Sequence, residues 1–340
     1  MVGASLSATL DRASRSPSRV LNVLLVVNPA ARGVSRALPT VLEGFRSAGV
    51  EYEVAETQAP SHATELVRAH LSGRHTADAV FALGGDGTAM EVATALAEWP
   101  ESPPLGILAL GTANVLARSL GIPLRPADAV RALVDAETIS IDLGRIAGGP
   151  RFAIGLGVGL DASMIGGASS LLKRRLGYIA YASSAMRAGF RLERFNARIT
   201  IDGVTTNVEA SSVLVANFGL VLGDLVCFGE RVGHRDGLLD VCVYSPRSLL
   251  DAIRIFWRML RGGVSDDRCV RTISGRHVRI ETDPPRPMQA DGELLGLTPV
   301  EIHVEPNVLR LLVPATRPRR WNIRRTSAVP VYAKLKSSLQ

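Results

Sequence analysis

A chain of 340 residues is long for one domain and fits two. Its 46% hydrophobic and 21% charged residues predict a packed core rather than disorder, and aromatics at 5% leave little for the stacking platforms of single-stranded nucleic-acid binders, so no nucleic-acid partner is expected. The net charge of +7 suits anionic partners such as nucleotide phosphates and acidic lipid headgroups.

Residues 1–19 are rich in Ser and Arg and are expected to be a mobile leader. They lack the apolar centre of a signal peptide. Val20–Val27 reads as a buried strand ending at Asn28-Pro29. A helix is expected over Pro39–Ala48, a strand over Tyr52–Glu56 and a helix over His62–Leu71. The strand Ala79–Leu83 feeds Gly84–Thr88, followed by a helix from Met90 to Glu98. Leu105–Leu110 is a fourth strand, with a loop at Gly111–Asn114 and a helix from Val115 to Leu120. Strands and helices in this alternation predict a parallel, doubly wound sheet, so the loops at Asn28, Gly84 and Gly111 should converge on one crevice.

After about residue 140 the texture changes. Phe152–Val158, Ala197–Ile201, Ser212–Asn217, Leu239–Tyr244, His277–Glu281 and Val300–Val304 are short strand-like runs. Helices are expected at Ser169–Arg191 and Ser248–Leu260. The first reads as an amphipathic cover, with a membrane-surface role as the alternative. The expected organisation is a leader (1–19), an α/β nucleotide-binding domain (20–143), a mainly antiparallel β domain (144–314) and a basic tail (315–340) holding Arg317, Arg319, Arg320, Arg324 and Arg325. Cys227, Cys242 and Cys269 are far apart without CxxC spacing, so neither a disulfide framework nor a zinc site is expected. No run of about 18 apolar residues is present, so no spanning helix is expected. The expected location is the cytoplasm, with attachment to a membrane surface as an option.

The strongest chemical signal is Gly84-Gly85-Asp86-Gly87-Thr88 between a strand and a helix. Glycines permit close approach of phosphates, and the amides that open a helix favour anions. A carboxylate among such amides makes sense if it orients a Mg²⁺ bridging phosphate oxygens, and Thr88 can donate its hydroxyl. The bland alternative is a structural turn capped by Asp or Thr. Neither a GxxxxGK[ST] loop nor a GxGxxG fingerprint at the first strand is present, so the phosphate site is of another type. The six histidines show no HExxH spacing, and no GxSxG elbow suggests a hydrolase.

Five strings in order resemble the diacylglycerol kinase catalytic domain family, which includes sphingosine and ceramide kinases and bacterial lipid kinases. They are Asn28-Pro29-Ala30-Ala31, Gly84–Thr88 followed by Glu91, Gly111-Thr112-Ala113-Asn114, Asp236-Gly237-Leu238-Leu239-Asp240 and Asp291-Gly292-Glu293. The resemblance covers roughly residues 20–314. It implies a phosphofructokinase/NAD-kinase-like α/β domain, a β-rich domain, and an active site between them. It further implies an ATP- and Mg²⁺-dependent lipid kinase whose acceptor is diacylglycerol or a related lipid.

Carried over residue by residue, Gly84, Gly85, Asp86, Gly87 and Thr88 form the ATP loop. Asn28, Pro29, Ala30, Ala31, Arg32, Thr57, Thr112 and Asn114 add nucleotide contacts. Glu293 is the candidate catalytic base, with Asp86 organising Mg²⁺ and phosphates. Gly233, Asp236 and Leu238 are implied to hold a structural Mg²⁺ through the Asp236 carboxylate and backbone oxygens, with Asp240 orienting the network. The turn-only reading of Asp291-Gly292 and of Asp236-Gly237 remains beside these. Met90 and Val115 depart from positions the family commonly fills with Asn and Asp, and Arg32-Gly33 stretches the first loop. The implied partners are a lipid substrate and a peripheral membrane contact, with a homodimer as the default assembly. The alternatives are a soluble-substrate kinase of the NAD-kinase type and a non-catalytic nucleotide- or lipid-binding regulator.

Overall fold

The run Asn22–Val27 (β1) is buried from Val23 onward, as are Ala79–Gly84 (β3) and Leu105–Ala109 (β4). Continuous apolar strands of this kind belong to a sheet covered on both faces. Glu51–Glu56 (β2) instead carries exposed acids and lies at the edge, where charge discourages further strand pairing. The order is β2-β1-β3-β4, all parallel. This is a computed structural model, and it describes residues 20–73, 77–159, 194–221, 226–227, 233–261, 264 and 267–315. The expectations for the leader 1–19, the helix Ser169–Arg191 and the tail from residue 316 lie outside these residues.

The crossovers are Val34–Ser47 (α1), His62–Ser72 (α2) and Asp86–Leu96 (α3), followed by Val115–Ser119 (α4) and Pro126–Val134 (α5). Helix α1 packs on α5, and α2 on α3. Two boundaries differ from the sequence reading for clear reasons. Helix α1 begins five residues before Pro39, because Val34, Ala37, Val41 and Phe45 make one buried stripe. Their burial outweighs the roughly 3 kcal/mol that an interior proline costs. Helix α3 begins at Asp86 rather than Met90, so most of the glycine-rich string is a helical first turn and not a loop before one. Helix α5 was not anticipated; it opens on Pro126 at its first position and buries Ala129, Val130, Leu133 and Val134.

Glu137–Ile146 (β5) leads into Arg151–Phe152 (β6) and Gly155–Gly159 (β7). It runs unbroken through residues 143 and 144. Then come Phe195–Ile201 (β8), Val204–Ala210 (β9), Ser212–Ala216 (β10), Leu220–Val221 (β11), Val226–Cys227 (β12) and Leu239–Tyr244 (β13). Helix Leu249–Arg261 (α6) precedes Val270–Gly275 (β14), His277–Asp283 (β15), Pro287–Ala290 (β16), Glu293–Leu297 (β17) and Val300–Val313 (β18). One antiparallel sheet runs β14-β13-β10-β7-β16-β17. It faces β8, β15 and the first half of β18 across a core containing Phe152, Leu156, Val213, Val241, Ile280 and Ile302.

Strand β18 was expected as five residues and is fourteen. Its first half pairs with β15. A register shift between Glu305 and Leu309, with Asn307 at φ 54°, bends it so that its second half lies along β5 and meets β4 in parallel at Leu311 and Leu105. The parallel sheet and one layer of the sandwich are thereby a single ten-stranded sheet.

Candidate active site

Four loops leave the carboxyl ends of β2, β1, β3 and β4, and the strand order sets Thr57, Asn28, Gly85 and Gly111 side by side. The Asn28 amide group donates to the Thr88 hydroxyl at 3.0 Å, and its Oδ1 accepts from the Ala30 amide at 3.1 Å. The Leu110 amide donates to the Gly84 carbonyl. A Cβ on Gly111 would stand 2.9 Å from the Gly85 Cα, and one on Gly84 would stand 2.6 Å from the Thr88 Oγ1. The loops therefore close on one another only through glycine.

Thr88 is buried, and its hydroxyl is engaged from within the protein by Asn28, so only its own proton remains for a phosphate. Gly87 is exposed, and no side chain caps the first turn of α3. Its opening amides thus present the anion-binding end of an eleven-residue helix, which fits phosphate. Pro29, Ala30, Arg32 and Thr112 are exposed along the same rim. Thr57 is joined to it through its amide on the Val27 carbonyl, two strands from Gly85.

Asp86 does two things at once. Its Oδ1 accepts from the Leu116 amide at 3.4 Å at the start of α4. Burial raises its pKa above the ordinary carboxylate value, opposed by the amides of Val115, Leu116 and Asn114 and by the Arg118 charge. The capping that the sequence offered as the alternative to metal orientation was of its own turn; the contact made is instead with the start of α4. Val115 contributes its amide here, so no second carboxylate stands beside Asp86 at that position. Glu91, the other acid of this string, is turned away and caps α2 through the amides of Ser61 and Ala63.

The Asp291-Gly292-Glu293 turn comes to this rim from the sandwich. Asp291, at φ 46°, accepts from the amides of Ala153, Ile154 and Gly155 at 2.6, 2.9 and 3.0 Å. Burial, countered by those three amides, pushes its pKa up to about 6, and the Asp86 charge adds to the rise. Glu293 is exposed, and its Oε1 lies 3.7 Å from where a Cβ on Gly87 would be. The carboxylate expected to act as base therefore faces the first turn of α3, from the β-rich half of the fold.

The Asp236 group sits elsewhere. Its Oδ2 is 2.6 Å from the position of a Cβ on Gly233, and its Oδ1 accepts the Leu238 amide at 3.1 Å. Among the described residues no three His, Cys, Asp or Glu side chains converge as a metal cluster. Asp236 is exposed, so a hard cation held by its carboxylate would keep most of its water. Asp240, by contrast, is buried in β13 and receives the Ser274 hydroxyl.

Two residues that the sequence reading passed over join these groups. Buried Asp142 accepts from the amides of Gly237 and Asn307. Buried Asn217 donates from Nδ2 to the carbonyls of Asp142 and Ala153, at 2.7 and 2.8 Å. An aspartate set between Ile141 and Leu143 was an available signal, since a charge among such neighbours must find buried partners.

Residues 22–146 match the model of the diacylglycerol kinase catalytic domain, and residues 155–313 match that of the YegS C-terminal NAD kinase beta sandwich-like domain. The diacylglycerol kinase of Bacillus subtilis (strain 168) is 29% identical over 268 residues, covering 78% of this chain and 86% of that protein. An uncharacterized protein of Synechocystis sp. is 31% identical over 304 residues, 85% of this chain and 70% of its own length. A relative from Pseudomonas fluorescens, described as "Probable lipid kinase YegS-like", is 28% identical and is covered over 96% of its length. A crystal structure of a diacylglycerol kinase from Bacillus anthracis shares the fold, with a TM-score of 0.69 over 88% of this chain and 98% of that one at 22% identity. With both halves of the fold matched in order, and with the glycine-rich helix start meeting Glu293 between them, the chain belongs to the diacylglycerol kinase catalytic domain family of lipid kinases.

Proposed function

We propose that this protein transfers the γ-phosphoryl group of ATP, with Mg²⁺, to the hydroxyl of diacylglycerol or a closely related lipid. The observation that carries the reading is Glu293 Oε1 set against Gly87 at the opening of α3. A lipid hydroxyl is a poor nucleophile near neutral pH, so a carboxylate must accept its proton as the new oxygen–phosphorus bond forms. Glu293 holds that place, while the amides of the first turn of α3 and the glycine contacts with Gly111 hold the phosphates. Asp291, pinned by three amides, fixes the turn that aims Glu293. Asp86 stands where a cation would meet the phosphates, and Mg²⁺ supplies neutralisation of charge on the phosphoryl oxygens when bound. Asp236, with backbone oxygens near Gly233 and Leu238, would hold a second cation in a structural role.

The test is transfer of labelled γ-phosphate into solvent-extractable product, with diacylglycerol, monoacylglycerol, sphingosine and ceramide in mixed micelles. Label is expected in one of these lipids. Glu293→Gln should lower kcat by about 10²- to 10⁴-fold while ATP binding is kept. Label in NAD or another water-soluble acceptor would replace the lipid reading. ATP binding without any turnover would replace the catalytic one.

A further inference from the structure

Helix α6 is apolar on both sides. Ile255 and Met259 pack with Leu214, Ala216, Cys242 and Tyr244 on the outer face of the antiparallel sheet, which accounts for its inner stripe. On the opposite side Leu250 is 76% exposed, Trp257 53%, Ile253 38% and Leu249 37%. These four lie within about 100° of helix arc, so they form one contiguous stripe rather than scattered apolar positions. A helix that only covered the sheet would be polar here.

The rim of this stripe is basic. The Arg261 guanidinium stands 5.8 Å from the Trp257 ring centroid. At the N-terminal end of the helix a hollow of about 500 Å³ is lined by Arg194, Arg247, Arg268 and Arg271. The acids nearby are already engaged: Asp251 pairs with Arg254 and Arg268, Asp267 with Arg254 and Arg258, and Glu209 with Arg194. Among the described residues Arg247, Arg261 and Arg271 make no ion pair, and the Arg268 side chain is 79% exposed. An exposed tryptophan in an apolar stripe, bordered by uncompensated guanidinium groups, matches the layered chemistry of a bilayer surface, with acyl chains beneath and phosphates above. A second copy of this chain would bring two arginine-rich rims together, which charge disfavours.

We propose that α6 docks this protein on anionic phospholipid bilayers, with Leu250, Ile253 and Trp257 entering the acyl boundary and the surrounding arginines holding lipid phosphates. The lipid-kinase reading supplies the purpose of this contact, whereas the contact itself rests on the helix surface. The probe is co-sedimentation of the full chain with phosphatidylcholine vesicles, with and without phosphatidylglycerol. The natural chain should bind only the anionic vesicles, and more weakly as salt rises. The pair Leu250→Ser and Trp257→Ser should reduce binding by about tenfold or more. Circular dichroism and Tm should not change, because both side chains are exposed. Turnover of a short-chain acceptor in detergent should also be unchanged. Equal vesicle binding by the natural and substituted chains would overturn the proposal. So would a natural dimer in light scattering that the substitutions convert to monomer without any vesicle binding. Binding that responds as expected, in a protein that phosphorylates no acceptor, would leave the docking helix standing and remove only the activity proposed above.

Discussion

Asp291 shows how one carboxyl group can be both buried and held. Three amides favour its charge, and burial with the neighbouring Asp86 charge opposes it; burial wins, so the pKa is raised from 3.8 to about 6. The sign of the linkage follows. Between about pH 4 and 6 the folded protein binds this proton and the unfolded chain does not, so this residue's contribution to stability falls as pH rises through that window. The advantage of the natural protein over Asp291→Asn in urea unfolding should therefore narrow from pH 4 to 6 and stay level above it. An advantage that is flat or widens across that window would refute the assignment. Asp86→Asn should lower the Asp291 pKa, read from the carbon-13 shift of its carboxyl, because one of the charges raising it is gone. The sequence made Asp291-Gly292-Glu293 visible as a string and as a turn. It could not show Asp291 as the anchor, because the amides that hold it lie 136 to 138 residues earlier in the chain.

Helix α2 begins at His62, where the sequence places it, but the group that holds its start was not legible. His62 follows Ser61, an ordinary capping residue type, yet Ser61 sits at φ 66° and makes no side-chain cap. The cap comes from Glu91 on α3, whose carboxylate takes the amides of Ser61 and Ala63 while its own carbonyl accepts the Thr64 hydroxyl. A residue thirty positions away thus satisfies the opening turn and locks α2 to α3. Glu91→Ala should cost about 1–2 kcal/mol in urea unfolding, and Glu91→Gln less, since its amide oxygen keeps one of the two acceptors while its NH2 group faces the other N–H and the charge that favours a helix N-terminus is lost. An unchanged midpoint for Glu91→Ala would mean that water replaces the cap without loss. Apolar strands, by contrast, were legible from their runs alone. For β1, β3 and β4 burial on both faces leaves no alternation to misread.

At the scale of the whole molecule, two domains are a good description of the sequence and an incomplete one of the physics. The first 146 residues contain the glycine-rich loops, but their sheet is not finished within them. Beyond β4 the next strand is the second half of β18, with Leu309, Leu311 and Val313 fully buried against β5 and the helical core. Arg151, just past the end of β5, reaches back to Glu305 and to the Thr94 carbonyl, so polar contacts cross at the same place. A fragment of residues 20–146 would expose this edge of β4 and one side of β5, and would lose three buried aliphatic side chains worth roughly 1.5–3 kcal/mol each. That is a large share of a typical domain stability of 5–15 kcal/mol. The fragment is expected to aggregate or to unfold without a sharp transition, and the full chain to unfold in one step by both circular dichroism and intrinsic fluorescence. Trp99, beside α3, and Trp257, on α6, each read in a variant whose other two tryptophans (Trp321 among them) are replaced by Phe, report from the two layers. If their transitions separate in urea, or if the fragment alone unfolds cooperatively at the midpoint of the full chain, β18 does not couple the two layers. The active site would then be assembled by docking of independent domains rather than by one continuous sheet.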